Sequence, residues 1–142
     1  MVDLSIPTLL TVLFVASLLA ATVLPGGSEV VLVATISGHP ELLWTAVAVA
    51  TVGNTLGAMT SYGIGRLIPN RVRQASVVQL QRYGYWALLL AWMPLVGDAL
   101  AVAAGWLRLN PWISLGALAI GKLARYLVVA GAWIGFAAWG GR

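Results

Sequence analysis

The chain of 142 residues carries no cysteine; 61% of it is hydrophobic, 8% is charged, and its formal net charge is +4. A soluble domain usually carries about 25% charged residues, so this chain lacks the polar surface to cover a water-soluble fold, and its high hydrophobicity excludes disorder. Without cysteine there is neither a disulfide scaffold nor a thiolate metal site, which leaves one membrane-embedded domain.

A bilayer core of about 30 Å takes roughly 20 helical residues to cross. Four apolar stretches approach that length: Leu4–Leu24, Leu42–Gly65, Tyr85–Leu107 and Trp112–Trp139. The first lacks the positive n-region of a secretory signal, because no Lys or Arg precedes Arg66 and Asp3 is the early charge. It is expected to be retained. It runs into Pro25-Gly26-Gly27-Ser28-Glu29 and then the short apolar piece Val30–Ile36. The third stretch is interrupted by Pro94-Leu95-Val96-Gly97-Asp98. Proline and glycine stop a helix, and irregular backbone at membrane depth survives only where protein or a wet cavity satisfies it. Each broken stretch therefore reads as a re-entrant helical hairpin, although Leu4–Leu24 is long enough to span outright.

Basic residues set the orientation. Arg66, Arg71, Arg73 and Arg82 crowd one connection and Arg108 lies in the next, while Asp3, His39, Glu41 and Arg142 fall on the other side. The Arg66–Arg82 connection is expected in the cytoplasm of a multi-pass inner (plasma) membrane protein. The Pro69–Arg82 stretch reads as an interfacial helix whose arginines, with Arg66 and Arg108, could hold anionic headgroups; topology alone also explains them.

The two halves match. Pro25-x-x-x-Glu29 and Pro94-x-x-x-Asp98 each open a short apolar arm, the arms end at Gly38 and Gly105, and each is followed by a long helix with a central glycine, Gly53 or Gly121. The pairs are almost equally spaced, and the halves have opposite topology. The expected fold is an all-α integral membrane protein of two inverted-repeat units, each a re-entrant hairpin followed by a transmembrane helix. Repeat 1 covers about residues 4–66, the interfacial connection 67–83 and repeat 2 about 84–139. Proteins built this way place substrate near the midplane, where broken half-helices meet.

Glu29, Asp98, Lys122 and Arg125 lie in stretches at membrane depth, where ionisable groups cost about 2.5–3.5 kcal/mol each and are functional candidates by default. Their charges sum to zero. Lys122 and Arg125 share one helix face, and Glu29 and Asp98 each sit at the start of a hairpin's second arm, where the helix N-terminus favours a carboxylate. The competing reading is salt-bridged structural glue, disfavoured because buried ion pairs add little stability over apolar replacements. Asn54, midway along Leu42–Gly65, suits packing and substrate contact equally. Gly53, Gly57, Ser61 and Gly65 recur every four residues as a packing stripe, with Gly131 and Gly135 a shorter one. Trp44, Trp106, Trp112 and Trp139 fall near span ends and suit an aromatic belt. His39 beside Pro40 reads as a solvated loop residue.

Enzymatic signatures are missing. The chain contains no G-x-x-x-x-G-K-[ST], G-x-G-x-x-G or H-E-x-x-H pattern and no G-x-S-x-G elbow. One histidine without cysteine does not make a typical metal site, although the Glu29/Asp98 pair leaves cation binding formally open. Neither enzyme activity nor a cofactor is expected. The basic pI follows membrane topology and implies no nucleic acid.

In this order, Leu24-Pro25-Gly26-Gly27-Ser28-Glu29, Gly53-Asn54-Thr55-Leu56-Gly57, Tyr62-Gly63-Ile64-Gly65-Arg66, Trp92-Met93-Pro94-Leu95-Val96-Gly97-Asp98, Ala104-Gly105-Trp106-Leu107-Arg108 and Gly121-Lys122-Leu123-Ala124-Arg125-Tyr126 make the chain resemble the DedA family (SNARE-associated or VTT domain), in its short YqaA-like branch. The resemblance implies two oppositely inserted re-entrant hairpins and lipid translocation, of undecaprenyl phosphate or phospholipids, with scrambling in eukaryotic relatives. It also maps the family's essential acid of the first hairpin onto Glu29. The second hairpin departs from the pattern: many relatives carry an arginine after the Pro-containing break, where this chain has Gly97-Asp98, so the positive charge would come from Lys122 and Arg125.

The leading expectation is a carrier for a lipid with an anionic headgroup. Lys122 and Arg125 would hold the phosphate, the half-helix N-termini at Ser28 and Gly97 would assist, and Glu29 and Asp98 would pair with the bases when the site is empty. Proton-coupled release is part of that reading. The alternatives are a proton- or cation-coupled carrier of a small solute, and an assembly or scaffold protein using the Gly53/Gly57/Ser61/Gly65 face. The expected partners are membrane lipids, with a homodimer left open.

Overall fold

A computed structural model describes residues 4–22, 27–69, 74–93 and 96–141, with the backbone alone for residues 74–80. Among these residues all regular structure is helical, without a strand. Asp3, Leu24, Pro25, Gly26, Arg71, Arg73, Pro94, Leu95 and Arg142, on which several sequence expectations rest, lie outside the described residues.

The helices are α1 (Ile6–Ala20), α2 (Gly27–Gly38), α3 (Leu43–Leu67), α4 (Gln74–Leu88), α5 (Val96–Trp106) and α6 (Pro111–Gly140), with single 3₁₀ turns at Pro40–Leu42 and Leu89–Trp92. Their ends follow local chemistry. Pro7 sits in the first turn of α1, where a missing N–H costs nothing. His39, before Pro40, is forced out of the helical region (φ −137°, ψ 74°), which separates α2 from α3. Asn110 caps α6 through its Oδ1, which accepts from the backbone N–H of Trp112 at 2.9 Å and Ile113 at 3.3 Å, and Pro111 follows at the first helical position.

Two helices are long and apolar enough to cross a bilayer, α3 with its preceding turn (Pro40–Leu67) and α6. At 1.5 Å per residue α3 extends about 37 Å and α6 about 45 Å. The expectation that Leu4–Leu24 is long enough to span is corrected here: α1 has 15 residues, about 22 Å. It runs parallel to α3 and ends beside Ser61, whose Oγ donates to the Ala21 carbonyl at 3.2 Å, short of Arg66 at the α3 end. A second boundary also shifts. The interfacial segment ending at Arg82 and the arm expected to begin near residue 84 belong to one helix, α4, because no proline or glycine pair separates them and a lone Gly84 does not stop a helix.

α3 is the central strut, flanked by α1, α5 and α6. The small-residue stripe makes those approaches possible. A Cβ added at Gly53 would stand 2.7 Å from the Phe14 carbonyl oxygen, and one at Gly57 would fall on the Leu18 carbonyl of α1. At Gly65 it would overlap the Val102 carbonyl of α5, and at Gly105 the Tyr62 carbonyl of α3. The stripe is thus occupied within the chain and offers no face to a second one. Gly131 and Gly135 differ: they are exposed, with open space around the missing Cβ, so the packing expected of them is not made within this chain.

The core forms two apolar clusters. One gathers Leu13, Leu32, Ile36, Val47, Ala50 and Tyr126; the other gathers Ala58, Tyr62, Leu88, Ala91, Leu109 and Leu118. Along α6, Lys122 and Arg125 fall between Leu118 of the second cluster and Tyr126 of the first. Along α3, Asn54 falls between Ala50 and Ala58. Asn54, Lys122 and Arg125 thus occupy the level between the two apolar clusters. Trp44, Trp112 and Trp139 are exposed near helix ends, as an interfacial belt requires.

Candidate functional site

The inward face of α6 carries Ser114, Leu118, Gly121, Lys122, Arg125, Tyr126 and Ala130, a run at three- and four-residue steps that turns both bases toward the other helices. Two short helices answer it. Glu29 lies in the first turn of α2 and Asp98 in the first turn of α5, where unpaired backbone N–H groups favour a carboxylate. Lys122 Nζ donates to Asp98 Oδ1 at 2.8 Å, with the lysine side chain 0% and the aspartate 23% exposed. Arg125 Nη2 pairs with Glu29 Oε1, at 9% and 18% exposure. The four candidate charges are therefore brought together as two acid–base pairs on one helix, near the middle of α6, and each base is better buried than its acid.

Ser28 joins this cluster. Its hydroxyl is fully buried, accepts a hydrogen bond from the Tyr126 hydroxyl at 2.9 Å and donates to Glu29 Oε2 at 3.3 Å. Tyr126 was not singled out as a site residue from sequence. The available signal was its position four residues after Lys122 and next to Arg125, which places it on the same face. Asn54 is 1% exposed and its Oδ1 has no hydrogen-bond partner among the described residues. The expected hydrogen bond from Asn54 to a neighbouring helix is therefore not made by its carbonyl oxygen. Thr55 and Ser114 likewise carry buried hydroxyls with no partner among the described residues. One expectation for the site is corrected: the Gly97 backbone N–H donates to the Met93 carbonyl at 3.1 Å. It is already used by the turn that enters α5.

The remaining described basic residues lie elsewhere. Arg66, Arg82 and Arg108 are exposed, and side-chain bonds gather their segments at one end of the molecule. The Tyr62 hydroxyl donates to the Leu109 carbonyl and accepts from Arg66 Nη1 at 2.9 Å. Gln81 Nε2 donates to the Leu107 carbonyl at 3.0 Å, and the Tyr85 hydroxyl accepts from the Asn110 N–H at 2.7 Å. At the opposite end of α3, His39 Nδ1 pairs with Glu41 Oε1 at 3.0 Å, both exposed, as a solvated loop histidine would be. No group of His, Asp or Glu suited to a metal ion occurs among the described residues. An apolar groove of about 420 Å³ lined by Ile36, Leu43, Trp133 and Ile134 opens about two helical turns from the Glu29–Arg125 pair.

Among the described residues the chain is all-helical, with two apolar helices long enough to cross a bilayer and two acid–base pairs set between apolar clusters, the make-up of a membrane protein. Comparison with known proteins gives the family. The chain is 44% identical over 126 residues to "Inner membrane protein YqaA" of Escherichia coli (strain K12), covering 86% of this chain and 89% of that one. The same identity and coverage hold for the protein of that name from Shigella flexneri. An "Uncharacterized protein" of Haemophilus influenzae is 42% identical over 131 residues, 82% of each chain. The chain belongs to the YqaA-like branch of the DedA family. No protein-family model and no solved structure matches it.

Proposed function

We propose that this protein is an inner-membrane carrier that moves a lipid with an anionic headgroup across the bilayer, using Lys122 and Arg125 as the headgroup-binding cations. The observation that carries the reading is the pairing of both bases with acids from two different short helices, at the level between two apolar clusters. Apolar residues would serve stability there as well or better. Exchangeable counter-ions, by contrast, are what an anion carrier needs: a phosphate entering between α2, α5 and α6 replaces a carboxylate on Lys122 or Arg125. The empty cluster is neutral, so a monoanion leaves it at −1 and one proton on the displaced acid restores neutrality. That arithmetic is the basis for proton coupling. No covalent bond is made or broken. The groove beside Ile36 and Trp133 offers an apolar surface to an acyl chain.

The inverted-repeat, re-entrant architecture belongs to the same proposal. The level of Asp98 on α6, the end of α1 at Ser61 short of the α3 terminus, and the paired first-turn acids support it. So does the close approach of each central glycine to its neighbour, Gly53 to Phe14 and Gly121 to Ala91. With those glycines in register, Asn54 is the counterpart of Lys122. The symmetry is broken in the chemistry, since both bases sit on α6 and α3 carries an amide. The gathered arginines support a cytoplasmic Arg66–Arg82 connection in this reading.

Reconstitution into proteoliposomes with a fluorescent anionic phospholipid tests the proposal. Lys122→Ala and Arg125→Ala are each expected to slow translocation at least tenfold. Wild-type rates in both folded variants would remove these bases from the mechanism. Solute uptake that depends on Glu29 or Asp98 with no lipid movement would favour the small-solute carrier instead.

A further inference from the structure

α5 ends in a left-handed turn. The Arg108 N–H donates to the Gly105 carbonyl and the Leu109 N–H to the Ala104 carbonyl, both at 3.0 Å, the paired bonds of a Schellman ending. Arg108 occupies its left-handed position at φ 57°, the one positive φ of a non-glycine residue among those described. Glycine is the ordinary residue there, because a Cβ is strained in that conformation. Topology explains a positive charge somewhere in this connection, since any position near the span end serves. It does not explain an arginine at the one position where its backbone is disfavoured. Strain kept at a single residue points to the use of its side chain.

The surroundings fix that residue in place. Tyr62, Gln81 and Tyr85, from α3 and α4, hold the Leu109 carbonyl, the Leu107 carbonyl and the Asn110 N–H. Arg66 is one hydroxyl away, donating to the same Tyr62 that holds Leu109. Both guanidinium groups are exposed, and no described acid answers them. Glu29 and Asp98 are engaged by Arg125 and Lys122, and Glu41 lies with His39 at the far end of α3. A fixed corner that presents two exposed arginines without a described acid partner, Arg66 also held by the Tyr62 hydroxyl, matches a phosphate, which takes forked N–H donors.

We infer that Arg108, with Arg66 beside it, forms a phosphate-binding site at the interfacial corner between α5 and α6, separate from the central ion pairs and occupied by the headgroup of an anionic phospholipid. The inference does not rest on translocation, and binding alone tests it. The full-length protein in neutral detergent is titrated with short-chain phosphatidylglycerol, short-chain phosphatidylcholine and inorganic phosphate, with tryptophan fluorescence as the readout. The wild type binds phosphatidylglycerol in preference to phosphatidylcholine. Arg108→Gly, which relieves the backbone, melts at a higher temperature than the wild type yet binds phosphatidylglycerol about fivefold more weakly. Arg108→Asn, a neutral side chain that tolerates the left-handed region, loses affinity to the same extent. Displacement of the lipid by inorganic phosphate supports the phosphate chemistry and adds the free anion as a ligand. Wild-type affinity in both variants, or equal binding of the two lipids by the wild type, overturns the inference.

Discussion

The Lys122–Asp98 pair is unevenly buried, and that asymmetry makes a sharp prediction. The lysine side chain is 0% exposed and the aspartate 23%. Asp98→Asn leaves an ammonium with no access to water facing a neutral amide, and breaking a buried pair in this way costs about 3–5 kcal/mol. Lys122→Met removes the charge at nearly constant volume and leaves a carboxylate that still reaches the surface, so its cost is nearer 1–3 kcal/mol. The double variant has no charge to bury and is expected within about 1 kcal/mol of the wild type, or above it. The two single costs then overshoot the double by more than about 2 kcal/mol, a coupling outside the additive range. Unfolding free energies of the four proteins, measured by denaturant titration in mixed micelles with the tryptophans as reporter, give the cycle. Equal single costs that simply add in the double variant would refute the reasoning, because they would mean that the two side chains do not depend on each other.

Two further perturbations follow from backbone geometry. Gly105→Ala drives a Cβ onto the Tyr62 carbonyl, so α3 and α5 must separate at a cost of about 1–3 kcal/mol or more; Gly116→Ala, inside α6 with open space around it, is expected to stabilise by about 0.5–1 kcal/mol, and the same unfolding titration reads both. Asn110→Ala removes the oxygen that accepts from Trp112 and Ile113 and should cost about 1 kcal/mol, seen as a lower melting temperature with the helical circular dichroism retained.

Much of the site is legible in the sequence because charge is so scarce. Four ionisable residues in apolar stretches have few partners to choose from, so Glu29, Asp98, Lys122 and Arg125 could be expected to meet. The starts of α2 and α5 are equally legible, since the Pro/Gly breaks precede first-turn acids. The four-residue spacing of Gly53, Gly57, Ser61 and Gly65 marks close helix contact, but not its partner, which turned out to be α1 and α5 of the same chain. What stays hidden depends on long-range placement. Hydropathy alone does not show that α1 stops after 15 residues, because Leu4–Leu24 remains apolar past the helix end. The unity of α4 is masked by its change from polar to apolar composition near Tyr83. Gly131 and Gly135 imitate a packing stripe that no neighbouring helix reaches among the described residues. Tyr62, Gln81 and Tyr85 bond to backbone groups 25 or more positions away, which no local pattern announces, and the left-handed Arg108 has no signature at all.

The central claim is that Lys122 and Arg125 are present to bind a headgroup and not to hold the fold. The Asp98→Asn, Lys122→Met protein, with that one pair neutralised, separates the two roles, because it is expected to fold as well as the wild type. Translocation of a fluorescent anionic phospholipid in proteoliposomes is the measurement. The account predicts a folded, correctly inserted double variant whose rate falls at least tenfold. A double variant that translocates at the wild-type rate would contradict it.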